Sequence, residues 1–121
     1  MNKKVLIIDD DHRNIFALKA VLKSRHFQVI SANSMQEAFE LLAANGDTAV
    51  ILMDIMMPLM DGFEAIPKIK AEERYKQIKI IAVTAQAMAG DREKCLAAGA
   101  DEYISKPIDI DQLLKAIRQA K

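Results

Sequence analysis

One cysteine, Cys95, occurs in the 121 residues. A single thiol excludes an internal disulfide and any metal site built from cysteines. Cys95 lies in the apolar-periodic stretch Cys95-Leu96-Ala97-Ala98 and reads as a small core residue. Long hydrophobic runs are missing too, since nothing approaches the ~18 apolar residues of a membrane span. The amino end, Met1-Asn2-Lys3-Lys4, leads straight into a strand pattern and leaves no room for the apolar stretch of a signal peptide. Net charge is lacking as well. The 17 basic and 17 acidic residues cancel, so no overall field draws the chain to nucleic acid or anionic lipid. Nothing reads as a basic arm or a Lys/Arg-rich helix face. Together these absences predict a cytoplasmic protein with neither nucleic acid nor membrane as a partner. The length is that of one domain, which buries roughly two-thirds of its unfolded surface without needing staples.

What is present is an alternation. Val5-Leu6-Ile7-Ile8 has the length and β-branched content of a buried strand and ends in Asp9-Asp10-Asp11. Ile15, Leu18, Val21 and Leu22 then recur at helical spacing, with Arg13, Lys19 and Lys23 on the other faces. Phe27 to Ser31 is a short second strand. Ser34 and Glu37 form a capping box for a second helix with the stripe Ala38, Leu41 and Leu42. Gly46 suits a left-handed position just after that helix.

Ala49 to Met53 is a third strand, followed by a helix from about Gly62 to Glu72. Pro67 removes one amide donor there, which predicts a kink or a late start. Ile78 to Val83 is a fourth strand stopping at Thr84. A fourth helix carries Arg92, Cys95 and Leu96 and ends at Gly99. Glu102 to Ser105 is a fifth strand ending at Lys106-Pro107, and Asp109 opens a last helix with the stripe Leu113, Leu114 and Ile117. Five strands alternating with five helices predict an α/β fold: a doubly wound parallel sheet with helices on both faces.

In such a sheet the carboxyl ends of all strands lie along one edge, where ligands bind. The residues at those ends are Asp9 and Asp10, then Asp54, Thr84 and Lys106. Asp54 ends an apolar run, and an unpaired buried carboxylate costs several kcal/mol or takes up a proton. Singly, each residue has a bland reading: acids cap helices, Thr suits strands, Lys solvates loops. Bland readings do not explain why they gather on one rim. Three carboxylates about 4–6 Å apart cannot all ionise without a counter-cation. Mg²⁺ suits a site with few oxygen ligands and several retained waters. Asp10 and Asp54 are the expected direct ligands, with Asp9 acting through water. A carboxylate is a legitimate phosphoryl acceptor, the Lys106 ammonium offsets charge on the phosphoryl oxygens, and Thr84 can donate a hydroxyl hydrogen bond to one of them.

With those residues in place, the sequence resembles a response-regulator receiver domain of two-component and phosphorelay signalling, from Lys4 to the end. The likeness rests on Val5-Leu6-Ile7-Ile8-Asp9-Asp10, on Met53-Asp54-Ile55-Met56-Met57-Pro58-Leu59-Met60-Asp61-Gly62, and on Ala82-Val83-Thr84-Ala85. Ala98-Gly99-Ala100-Asp101-Glu102-Tyr103 and Ser105-Lys106-Pro107 complete it. The resemblance implies a flavodoxin-like sheet in the order 2-1-3-4-5, Asp54 as phosphoacceptor, and Mg²⁺ held also by the Met56 carbonyl. It implies a cis peptide between Lys106 and Pro107, and Thr84 with Tyr103 as a switch pair acting on the fourth helix, fifth strand and last helix. Met56 and Gln86 flank the acyl phosphate in this family and modulate its lifetime. Ile108 replaces an aromatic often found after that proline. The implied partners are a histidine kinase or a His-containing phosphotransfer domain, and an output domain either fused or separate. Residues 1–121 are expected to be a receiver alone, without an output domain and without metabolic enzyme activity.

Other classes fit less well. A phosphohydrolase with an Asp nucleophile resembles Asp-x-Asp-x-Thr, but Met56 stands where its general acid belongs. A flavodoxin-type carrier needs a hydroxyl- and glycine-rich phosphate loop after the first strand, where this chain has three acids. A purely structural module leaves the agreement of the strand ends unexplained.

Overall fold

The computed structural model describes residues 3–55, 62–84 and 91–119. Five parallel strands, β1 (Lys4–Ile8), β2 (Gln28–Ala32), β3 (Thr48–Asp54), β4 (Lys79–Thr84) and β5 (Glu102–Ser105), form one sheet in the order 2-1-3-4-5. The helices are α1 (His12–Ser24), α2 (Met35–Ala44), α3 (Gly62–Ala71), α4 (Asp91–Ala98) and α5 (Ile110–Arg118), with a single 3-10 turn at Glu73–Tyr75.

The strand period of two splits the core between the faces of the sheet. Val5, Ile7, Val50, Leu52, Ile81, Val83 and Ile104 point to one side and pack on Ile15, Leu18 and Leu22 of α1 and on Leu113, Leu114 and Ile117 of α5. Leu6, Ile8, Ile51, Met53, Ile80 and Ala82 point to the other, against Met35, Ala38 and Leu42 of α2, Ala65, Ile66 and Ile69 of α3, and Cys95 of α4. Each such aliphatic side chain contributes about 1.5–3 kcal/mol by burial, which is why strands apolar on both faces occupy the centre.

Helix termini follow local chemistry. Ser34 accepts a hydrogen bond from the Glu37 amide, and the Glu37 carboxylate accepts one from the Asn33 amide, one residue earlier than a standard capping box. Asp109 caps α5 by accepting from the Gln112 amide. Three expectations change. Gly46 does not take the left-handed position; Gly99 (φ +119°) and His26 (φ +72°) take positive φ, each just after a helix. His26 is held there because α1 closes on its own carbonyls, with the amides of His26 and Phe27 donating to Lys23 and Leu22. The helix around Pro67 starts at Gly62, so the late start does not occur, and Pro67 lies inside it on the exposed side. Leu96 faces outward, 39% exposed, while its neighbour Cys95 is buried.

The third change concerns charge. No acid occurs between Asp11 and Glu37, and no Lys or Arg between Arg25 and Lys68. Helix α1 therefore does present a Lys/Arg-rich face, with Arg13 and Lys23 exposed and Arg25 beside them at its end. The zero net charge concealed this, because the compensating acids lie on other elements.

Candidate functional site

Strand register assembles the rim. Ile8 pairs with Met53 and Asp54 with Val83, so Asp9, the residue after β1, lies beside Asp54 at the end of β3. The Asp9 amide continues the ladder to the Ala32 carbonyl at 3.1 Å. Thr84 pairs with Ser105, and its carbonyl accepts the Lys106 amide at 2.7 Å, which fixes where the lysine leaves β5. The Lys106–Pro107 peptide is cis, as the resemblance implied.

Carboxylate oxygens of Asp9, Asp10 and Asp54 all lie within 4.8 Å of one another. Lys106 Nζ stands 3.6 Å from Asp54 Oδ2 and 3.7 Å from Asp9 Oδ2. Asp9, Asp54 and Thr84 are buried, at 4%, 8% and 2% exposure, whereas Asp10 faces solvent. Three carboxylates thus face one ammonium.

Asp9 shows the consequence. Burial pushes its carboxyl above the usual aspartate range, and the neighbouring Asp54 carboxyl pushes it further. The Asp11 amide, donating to Asp9 Oδ1 at 2.9 Å, and the Lys106 charge recover only part of that. A cluster of hard oxygen donors with surplus negative charge is the donor set Mg²⁺ takes, so these residues fit the ion. Asp9, Asp10 and Asp54 are the side chains placed to hold it.

Two roles escaped sequence reasoning. Asp11, third in the acidic run, turns away from the cluster and caps α1, accepting the Arg13 amide at 2.9 Å. Asn14 Nδ2 lies 3.4 Å from Asp9 Oδ2. The signal for both was available: an Asp just before an amphipathic stretch is a cap candidate, and the first helical turn then faces the strand end. Tyr103 is half-buried, pairs with Ala82 and packs on the core beneath α2, α3 and α4. Met56 and Gln86 lie outside the described residues.

A groove of about 560 Å³ opens from this cluster along α1. Asp9, Asp54 and Lys106 form one end, and Ala17, Val21 and Ile108 are among the apolar residues of its walls. Val21 is consequently half-buried, unlike the other stripe residues of α1.

Comparison with known proteins agrees with this geometry. Residues 5–118 match the family model described as the response regulator receiver domain. The polar-differentiation response regulator DivK of Brucella ovis is 35% identical over 118 residues, covering 98% of this chain and 95% of that protein. Among solved structures, the receiver domain of sensor histidine kinase PA1611 from Pseudomonas aeruginosa, with magnesium coordinated in its active-site cleft, aligns with TM-score 0.82 at 30% identity. It covers 99% of this chain and 98% of that one. A chain of the Saccharomyces cerevisiae co-crystal of the histidine phosphotransfer protein Ypd1 with the receiver domain of its downstream response regulator Ssk1 aligns with TM-score 0.86 at 27% identity. That match covers 98% of this chain and 88% of the other. With the family model spanning nearly its whole length, and a relative 35% identical over almost all of both chains, this chain belongs to the response-regulator receiver domains.

Proposed function

We propose that Asp54 accepts a phosphoryl group from a phosphohistidine carried by a histidine kinase or a His-containing phosphotransfer domain. The observation that carries this reading is the buried Asp54 carboxylate, 3.6 Å from the Lys106 ammonium and clustered with Asp9 and Asp10. In the transfer, an Asp54 oxygen bonds to phosphorus as the bond from phosphorus to the imidazole nitrogen breaks, and that electron pair stays on the imidazole. Lys106 holds its charge where the phosphoryl oxygens arrive. Thr84 stands at the end of the neighbouring strand, where its hydroxyl donates to one of those oxygens. Asp9, tethered by Asp11 and Asn14, keeps the acidic cluster in place. Mg²⁺ held by Asp9, Asp10 and Asp54 supplies positive charge against the same oxygens when bound. The chain thus assists its own phosphorylation and is not a metabolic enzyme.

The donor approaches along α1, near Asn14, Phe16 and Ala17, because this helix borders the acidic cluster. The encounter is transient and buries under ~1,200 Å². The signal then passes through Thr84 and Tyr103 to the surface of α4, β5 and α5, around Lys94 and Lys115, where a partner or output domain reads it.

The test is direct. With Mg²⁺ and a small acyl-phosphate donor, intact-mass measurement should show one added phosphoryl group, labile to hydroxylamine and abolished by Asp54→Asn. The same label on the Asn variant would refute the assignment.

A further inference from the structure

Helix α1 carries an unpartnered face whose charge names its partner. Phe16 is 77% exposed, in a molecule whose other large apolar side chains are, Leu96 apart, covered among the described residues. Ala17 and Ala20 lie exposed beside it, and the apolar groove opens along Ala17 and Val21. Around this centre stand Arg13, Lys19, Lys23 and Arg25, with no acid on the helix. Among the described residues, Lys19, Lys23 and Arg25 have no ion-pair partner, and Arg13 reaches Asp11 only through Nε at 3.4 Å. An apolar centre with a charged rim is the anatomy of a protein docking surface. Here the rim has one sign.

We infer that this face selects phosphodonors whose docking helix carries acidic residues, which pair with Lys19, Lys23 and Arg25. The inference rests on the phosphoacceptor reading above and specifies the partner's chemistry. Helical rise fixes the distance. From Asn14, beside the cluster, to Lys19 and Lys23 is about 8 and 14 Å along α1. The partner's acids therefore lie within about two to three turns of its phosphohistidine. Exposed rim charges act on association more than on final affinity, so the selection is kinetic and salt-sensitive. A lone aromatic on one short helix favours a protein over a lipid surface, because the groove beside it must also admit a group reaching Asp54.

The test uses purified His-containing phosphotransfer domains graded by the net charge of residues within three turns of the phosphohistidine. Transfer to the wild-type chain should quicken as that flank becomes more acidic. Lys19→Glu with Lys23→Glu should slow transfer from the acidic members about ten-fold or more at low salt, and should reverse the ranking. Lys19→Gln with Lys23→Gln should fall between. Labelling by a small acyl phosphate should stay at the wild-type rate in both variants, which also shows that they are folded. Failure of that labelling in the wild type would defeat the phosphoacceptor reading itself. Normal labelling with a transfer ranking indifferent to the reversal would overturn this inference alone. So would charge-dependent retention on vesicles of phosphatidylcholine with one-third phosphatidylserine, if phosphotransfer were unchanged.

Discussion

Ionising Asp9 carries a cost. Its carboxyl titrates above its ordinary value through burial and the Asp54 charge, so the folded state binds the proton more tightly than the unfolded chain. Protonated, below the ordinary aspartate range, the residue costs nothing electrostatically. Stability is lost as pH rises through the raised value, and the loss is complete above it. Asp9→Asn, measured by denaturant unfolding in EDTA, should therefore be more stable than wild type at pH 7. That advantage should shrink as pH falls toward 4, and a variant less stable at neutral pH would contradict this account. Gly99 is the opposite case, a residue fixed by space. At φ +119° a β-carbon would meet Ile66 Cγ2 at 3.2 Å and Lys70 Cγ at 3.3 Å, where α4 closes against α3. Gly99→Ala should cost about 1–3 kcal/mol in thermal or denaturant unfolding, with phosphorylation retained.

At the scale of elements, Asp101 ties three together. Its Oδ2 accepts the Ile80 amide at 2.8 Å and Lys70 Nζ at 3.0 Å, and Lys70 also donates to the Ile78 carbonyl. Asp101→Ala leaves the amide of fully buried Ile80 bare and should cost about 1–3 kcal/mol. Lys70→Met should cost less, because that pair is partly solvated. What the sequence disclosed at this scale depended on how local the cause was. β5 is bounded as the sequence predicts, and Ser34 and Asp109 cap their helices as expected, since apolar alternation and cap chemistry are local. The left-handed position at His26 was hidden, because backbone bonds from the His26 and Phe27 amides to carbonyls of α1 set it, and no side chain there signals them. The basic face of α1 was hidden by arithmetic: its charges vanish in the total. The rim was legible because parallel topology converts strand ends into neighbours, whereas the turning away of Asp11 needed helix α1 to be in place.

The proposed switch, too, belongs to elements. Thr84 ends β4 and Tyr103 pairs with Ala82 one strand over, so a hydroxyl drawn toward a phosphoryl group moves against the strand that carries the ring. One charge-assisted hydrogen bond, about 1.5–3 kcal/mol, shifts a two-state equilibrium roughly 10- to 150-fold. Thr84→Ala should leave phosphorylation largely possible, though slower, while the Tyr103 ring signal in carbon or fluorine NMR stops responding to a phosphoryl mimic. A wild-type ring signal that never responds would remove Tyr103 from the pathway.

For the whole molecule, the acidic cluster sets function against stability, and the two can be separated. Three carboxylates share one ammonium, so the metal-free protein carries repulsion that a divalent cation relieves. Binding to the folded state alone adds RT ln(1 + [Mg²⁺]/Kd) to stability. For a dissociation constant of roughly 1 mM, raising Mg²⁺ to about 10 mM should add about 1.4 kcal/mol and lift the unfolding midpoint by a few degrees. Asp10→Asn should lose most of that gain, because Asp10 is the exposed member of the proposed ligand set and adds little to the buried repulsion. Asp9→Asn should begin higher in EDTA and gain less from Mg²⁺, so its melting curve and that of the wild type should converge as the ion is added. Parallel gains in wild type and both variants would mean that Mg²⁺ stabilises the protein somewhere other than the strand-end rim.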